Sequence, residues 1–216
     1  IYITTHPSEN ICLIYTSQKI KTIENNYKNI YDYKNNNSSR KHLVVDGVPI
    51  VNGSFAQNSF KLNSLLKNTV LNYLSLSKGK LLDLYCGSGN LTITLPHSNF
   101  SVVGVDIDSH AIEYAKEYSP FDYQVGDEAL MKKLIVNSEW DAIILDPPRE
   151  GAKELMDELK LAKSPKIIYV SCNYITQCRD LKCLIDFGWK IEDVSLVDLF
   201  PHSPHIETVV LLSKQI

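Results

Sequence analysis

From residue 60 onward the apolar positions follow two periods in alternation. Leu62, Leu65, Leu66, Val70 and Leu74 recur at the three- and four-residue spacing of a helix with one apolar face. Short apolar runs follow at Lys80 to Tyr85, Ser101 to Val105, Trp140 to Leu145, Lys166 to Val170, Lys190 to Val197 and Ile206 to Leu212, with a weaker one at Phe121 to Val125. Helical stretches are predicted between most of them, over about 108–118, 127–137, 150–162 and 174–187. Nearly continuous apolar strands that alternate with helices imply an α/β fold of Rossmann-like type, a mostly parallel sheet covered on both faces. The last two runs have no helical spacing between them, so they are predicted to form an antiparallel pair at one edge.

The first 55 residues read differently. Asn10 to Ser17 has the character of a strand, and an Asn-rich run through Asn25, Asn26, Asn29, Asn35, Asn36 and Asn37 favours turns, as loop or hairpin. Val44 to Asn52 carries Asp46-Gly47 between two apolar runs, a hairpin signal. The expected division is a partial N-terminal subdomain over 1–55 and a second domain over 56–216.

Composition narrows the class. The chain has 216 residues, 44% hydrophobic and 22% charged, enough for one sizeable core. No run is long and apolar enough for a membrane helix and no secretory leader is visible, so no membrane is expected among its partners. The chain starts at Ile1 without an initiator Met and is expected to be a piece of a longer protein. Its net charge of -3 counts against nucleic-acid binding by this piece alone. Cys12, Cys86, Cys172, Cys178 and Cys183 form no paired framework and no CxxC ligand set, which points to a reducing cytoplasmic setting without a metal site.

Candidate chemistry collects at the ends of the strands. Asp83-Leu84-Tyr85-Cys86-Gly87-Ser88-Gly89-Asn90 closes the first strand and is predicted to open a helix; glycines there let backbone approach a ligand. Asp106 ends the second strand, where an acid suits a ribose diol. Asp127 follows the third and suits an adenine amino group. Asp83 is expected to organise the loop or meet an ammonium, and Asp108 to cap a helix. With no phosphate-binding lysine pattern, a nucleoside without phosphates, such as S-adenosylmethionine, fits better than NAD or ATP.

After the fourth strand comes Asp146-Pro147-Pro148-Arg149-Glu150-Gly151, whose prolines stiffen the loop. Arg149 stands where amino-group methyltransferases carry an aromatic residue, which argues against methylation of an exocyclic amine. After the fifth strand comes Ser171-Cys172-Asn173, just before a helix. A thiol so placed is expected to have a depressed pKa and to act as a nucleophile. Cys12, Cys178 and Cys183 are expected to be buried or to pack helices, and Cys86 to pack in the cofactor loop. Glu207 opens the last strand and is a candidate general base, although considered alone such a residue is more often solvated. His202 and His205 precede it and suit loop ordering or a phosphate contact.

In combination and order, Ser54-Phe55-Ala56-Gln57, the Asp83–Asn90 loop, Asp146–Gly151, Ser171–Asp180 and Phe200–Glu207 make the chain similar to the uracil-5 RNA methyltransferases, the bacterial tRNA and ribosomal RNA enzymes that form 5-methyluridine. The resemblance spans about Ser54 to Leu212. It implies a class I S-adenosylmethionine-dependent methyltransferase fold of seven strands and an RNA substrate, tRNA or rRNA. It implies that Gln57, Tyr85, Asn90, Asp106, Asp127 and Asp146 bind S-adenosylmethionine, that Cys172 is the nucleophile attacking carbon 6 of uracil, and that Glu207 removes the proton from carbon 5. Arg179 and Asp180 match a helix signature read as structural. Tyr174 departs from the family's usual Pro, and Ser59 from its frequent Asn. Cytosine-5 enzymes carry a cysteine in the fourth-strand loop; Asp146-Pro147-Pro148 has none and favours uracil. A monomer is expected. Two other readings stay open: an idle RNA- or cofactor-binding domain, and a methyltransferase for a small molecule or protein.

Overall fold

The computed structural model of the chain describes residues 2–6, 11–15, 29–32, 42–51, 54, 55, 57, 60–199 and 206–214. Five short strands come first: β1 (Tyr2–His6), β2 (Ile11–Tyr15), β3 (Asn29–Asp32), β4 (His42–Val45) and β5 (Val48–Val51). After helix α1 (Phe60–Leu74) come β6 (Gly79–Leu84), β7 (Phe100–Asp106), α2 (Ser109–Tyr118), β8 (Asp122–Val125) and α3 (Glu128–Asn137). The chain ends with β9 (Ala142–Leu145), a 3-10 turn at Lys153–Leu155 running into α4 (Met156–Lys160), β10 (Lys166–Ser171), α5 (Tyr174–Ile185), β11 (Lys190–Val197) and β12 (Glu207–Ser213).

The main sheet has seven strands in the order β11-β12-β10-β9-β6-β7-β8. β10, β9, β6, β7 and β8 are mutually parallel, and β12 runs antiparallel to both β10 and β11. The predicted fold class and its antiparallel C-terminal pair are therefore observed, with β12 inserted between β10 and β11. Successive residues of the central strands face opposite cores, as a strand's period of two requires. Leu81, Ile144 and Ile168 join one with Leu66, Val70 and Ile112, under α1 and α2. Leu82, Ile143 and Ile167 join the other with Met131, Leu159 and Leu184, under α3, α4 and α5.

Some expectations shift. Leu65 lies on the solvent side of α1 and Tyr73 takes its place in the buried stripe with Leu66, Val70 and Leu74. No helix follows the Gly87-x-Gly89 loop. Residues 87–94 form consecutive turns, held by bonds such as Thr92 N to Gly89 O at 3.0 Å and Ile93 N to Gly89 O at 2.8 Å. Thr92, Ile93 and Thr94 are β-branched and Pro96 follows, so the segment is both poor in helix propensity and too short to propagate. The predicted helix over 150–162 shrinks to the 3-10 turn and α4. Part of the Asn-rich run is strand: β3 pairs parallel with β2, which itself pairs antiparallel with β1. Asn25, Asn26, Asn35, Asn36 and Asn37 lie outside the described residues.

The hairpin is as expected, with Asp46 at φ 50 and Gly47 at φ 77, the two left-handed residues of a tight turn. Its His42 donates or accepts with the Tyr118 hydroxyl on α2 at 2.6 Å and packs its ring 4.4 Å from that of Tyr114. Val48 reaches the core that α1 and α2 cover. No described helix is long and apolar enough to cross a membrane.

Candidate active site

The carboxyl ends of β6, β7, β9 and β10 meet at one edge of the sheet, and Asp83, Tyr85, Asp106, Asp146 and Cys172 stand there, with Glu207 at the start of the antiparallel β12. Tyr85 leaves β6 at φ 61, in the left-handed region that a bulky residue adopts only under constraint. Gly87 turns at φ 54, and a Cβ there would meet nothing within 4 Å, so the loop leaves open space beside its own backbone. Asp106 braces that loop: its carboxylate accepts from Gly87 N and Asp108 N, both at 2.8 Å. Asn90 is held by a reciprocal amide pair with Asn63 of α1, at 2.8 and 3.0 Å.

Asp83 is completely buried. Its Oδ2 accepts from Thr92 Oγ1 at 2.5 Å, and Thr92 shares a 3.1 Å hydrogen bond with the Tyr123 hydroxyl. Burial, and after it the negative charge of Asp106, pushes Asp83 up to about 7. Asp83 Oδ1 and Gln57 Oε1 are both buried with no hydrogen-bond partner among the described residues. Buried acceptors of that kind cost free energy unless a donor arrives, so they suit a ligand that brings N–H or O–H groups. Asp127 caps α3 through Oδ1, which accepts from Ala129 N at 3.1 Å and Leu130 N at 3.2 Å. Asp108 caps α2 as expected, accepting from His110 N at 3.0 Å and Ala111 N at 3.1 Å.

The second half of the site comes from the pairing of β10 with β12. Ser171 lies opposite Thr208, and one further step along each antiparallel strand brings Cys172 to Glu207. The register is pinned from both sides, since Thr208 Oγ1 meets Ser171 O at 3.0 Å and Gln177 Oε1 at 2.6 Å, while Gln177 Nε2 donates to Tyr169 O at 3.0 Å. Glu207 is 2% exposed, not the solvated edge residue its position alone would favour, and burial pushes its carboxyl up to about 7. Asp146 ends β9 nearby and is raised by burial first and then by Glu207, Asp83 and Asp106.

Cys172 is half-buried, two residues before α5, whose N-cap Asn173 accepts from Ile175 N. The expected depression of its thiol pKa is not observed. Burial raises it first, and the charges of Glu207 and Asp146 add to that. The Arg149 side chain pulls the other way without reversing the balance. Arg149 is thus a functional candidate that sequence reasoning used only as a negative marker; the fixed spacing after Pro147-Pro148 was its signal.

Of the other thiols, Cys86 is buried in the loop as expected and Cys183 packs on the core, but Cys178 is exposed on the outer face of α5. The side chain of Cys12, and His202 and His205, lie outside the described residues. No group of three or more metal-ligating side chains occurs among the described residues. A cavity of about 390 Å³ adjoins the site, lined by Tyr85, Glu128, Pro148, Glu150, Glu154 and Arg179 among others. A shallower one of about 530 Å³, by Lys78, His97 and Asp141, sits at the opposite edge of the sheet, away from these groups.

The chain is similar to known proteins. The profile of the tRNA (uracil-5-)-methyltransferase family matches residues 11–122 and 129–215. The 23S rRNA (uracil(1939)-C(5))-methyltransferase of Haemophilus influenzae is 35% identical over 170 residues, covering 74% of this chain and 39% of that protein. An uncharacterized RNA methyltransferase of Clostridium tetani is 38% identical over 171 residues, covering 75% of this chain and 37% of that one. The chain thus spans about two fifths of the length of the curated relatives it matches. Among solved structures, the Pyrococcus abyssi tRNA (uracil-54, C5)-methyltransferase, in complex with S-adenosyl-L-homocysteine, superposes with a TM-score of 0.75 at 26% identity, over 94% of this chain and 56% of that one.

Proposed function

The chain belongs to the tRNA (uracil-5-)-methyltransferase family, and from that premise we propose that it methylates carbon 5 of a uridine in tRNA or rRNA through a covalent bond between Cys172 and carbon 6. The observation that carries the reading is the β10–β12 register, whose continuation past Ser171 and Thr208 aligns the Cys172 thiol with the Glu207 carboxyl, which is raised to about 7.

The crevice suits S-adenosylmethionine. Asp83 Oδ1 and Gln57 Oε1 are buried acceptors awaiting donors, and Gly87 leaves room beside the loop. On this reading Gln57, Tyr85, Asn90, Asp106, Asp127 and Asp146 hold the cofactor, with Asp83 facing its ammonium. Bound there, S-adenosylmethionine supplies an electrophilic methyl group on a sulfonium sulfur.

The chain's own residues do the rest. The uridine must leave its stack to reach the crevice. Carbon 5 of uracil is a poor nucleophile until the ring is activated. The Cys172 thiolate adds to carbon 6, and the displaced electron pair moves through the ring to oxygen 4 as an enolate. Carbon 5 of that enolate takes the methyl group. Glu207 then removes the proton on carbon 5, the double bond between carbons 5 and 6 re-forms, and Cys172 leaves as thiolate. Residues 1–55 belong, on the same reading, to the end of a preceding unit, and 56–216 to the catalytic domain.

The test uses the full-length protein and RNA containing 5-fluorouridine, in which a fluorine replaces the proton Glu207 would remove. A denaturation-stable protein–RNA adduct is expected with the native sequence and none with Cys172→Ser. Methyl transfer retained by Cys172→Ser would contradict the covalent route. No transfer to any RNA by the native protein would favour an idle domain.

A further inference from the structure

One face of α5 touches residues 149–152 of the loop after β9. Asn173 Nδ2 donates to Arg149 O at 2.9 Å, and Thr176 Oγ1 donates to the same oxygen at 3.0 Å. Arg179 donates through a terminal guanidinium nitrogen to Glu150 O at 2.9 Å. Asp180 Oδ2 accepts from Ala152 N at 2.8 Å. Positions 173, 176, 179 and 180 recur every three to four residues, so they form one stripe of the helix. The remaining residue of the loop, Gly151, has φ +80, and a Cβ on it would stand 2.6 Å from Asp180 Oδ2 and 2.8 Å from a guanidinium nitrogen of Arg179. The helix therefore presses where only glycine fits.

Asp180 is the centre of this contact. It is fully buried, and every partner is a donor: Ala152 N, the Tyr169 hydroxyl at 2.8 Å, and Arg179 through Nε at 2.9 Å and a terminal nitrogen at 2.8 Å. A carboxylate accepts from all of these, whereas an amide would turn an NH2 group toward donors. Ala152 N also lies 3.3 Å from the Tyr169 hydroxyl, which ties the loop to β10, the strand that ends at the thiol. Arg149 is itself tied to the residue after the thiol, since its carbonyl oxygen accepts from Asn173 Nδ2, and its side chain favours the Cys172 thiolate.

We propose that Asp180 is a positioning residue for the nucleophile: with Asn173, Thr176 and Arg179 it fixes the backbone of 149–152 in the register that holds Arg149 beside Cys172. The charged groups facing that sulfur are Glu207 from β12, Asp146 from the end of β9 and Arg149 from the loop. Arg149 is the one cation among them, so its placement decides how readily the thiolate forms beside two carboxylates. This inference rests on the reading of Cys172 as the nucleophile but is testable without methyl transfer.

The experiment measures the rate of iodoacetamide alkylation of the peptide containing Cys172 across a pH series in the full-length protein, with Cys178 followed as an internal control. Arg149→Gln is expected to raise the Cys172 midpoint by about one pH unit, a roughly tenfold loss of thiolate at a pH below it. Asp180→Asn is expected to raise it as far, and the double variant no further, since both changes remove one guanidinium from one sulfur. The Cys178 midpoint stays fixed. Should Asp180→Asn fail to fold, Gly151→Ala perturbs the same register from the loop side and is expected to give the same rise. A folded Asp180→Asn or Gly151→Ala protein with the native Cys172 midpoint overturns the proposal, as does an unchanged midpoint in Arg149→Gln. The 5-fluorouridine adduct remains a separate readout: its absence from the native protein contradicts the covalent function, whatever the midpoints do.

Discussion

Glu207 is one residue on which structure and chemistry make opposite demands. Its carboxyl is raised from 4.5 to about 7 by burial. Folding therefore favours the protonated form. The stabilisation this gives is complete below the ordinary carboxylate pKa and is lost as pH rises through the window from 4.5 to about 7. A shift of that size corresponds to roughly 3 kcal/mol. Proton abstraction needs the ionised form, so turnover is expected to rise with pH through about 7. Glu207→Gln removes the ionisation and keeps the shape. Its melting temperature is expected to exceed the native one at neutral pH and to match it in acid, while methyl transfer falls by orders of magnitude. Thermal melts at several pH values, paired with a transfer assay, check both halves. A variant less stable than native at neutral pH would contradict the burial argument.

At the scale of elements, the helix α1 and the sheet it covers were legible because their periods are strong. Leu62, Leu66, Val70 and Leu74 mark one stripe, and the apolar runs at Leu81, Ile143 and Ile167 mark strands buried on both sides. Leu65 departs because a helix of this length offers more apolar positions than its buried face uses, whereas the segment after Gly89 stays in turns because β-branched Thr92, Ile93 and Thr94 and the following Pro96 oppose a helix. Asp83, Asp106, Asp146, Cys172 and Glu207 lie at or beside strand ends, as motif order predicts. What stayed hidden was how they are braced. The Thr92–Tyr123 contact on Asp83 and the four donors on Asp180 depend on side chains distant in sequence, and no local pattern announces them. The raised Cys172 thiol was hidden likewise, since the carboxylates that oppose it come from other strands. Packing at this scale is tested by Leu66→Ala, in the buried stripe of α1. It is expected to cost about 2–5 kcal/mol in a denaturant titration. Leu65→Ala, on the exposed side, should change stability by less than about 0.5 kcal/mol. Equal losses for the two would contradict the face assigned to the helix.

The whole molecule carries a net charge of -3 and spans about two fifths of the length of the curated relatives it matches. RNA binding draws on phosphate contacts by lysine and arginine, and this stretch has no surplus of them. The acidic crevice, in contrast, gathers Asp83, Asp106 and Asp146 from this stretch's own strand ends. The 216 residues by themselves are therefore expected to bind S-adenosylhomocysteine and to bind tRNA or rRNA weakly. Calorimetry for the cofactor product and filter binding for RNA separate the two; tight, salt-sensitive RNA binding by this stretch would contradict the reading. Covalent activation of uracil by Cys172 is checked by incubating full-length protein, S-adenosylmethionine and 5-fluorouridine RNA, then digesting the product and mapping the linked peptide by mass spectrometry. The expected product is a nucleotide carrying one methyl group joined to Cys172. A methylated RNA released without any adduct, or an adduct on another cysteine, would contradict it.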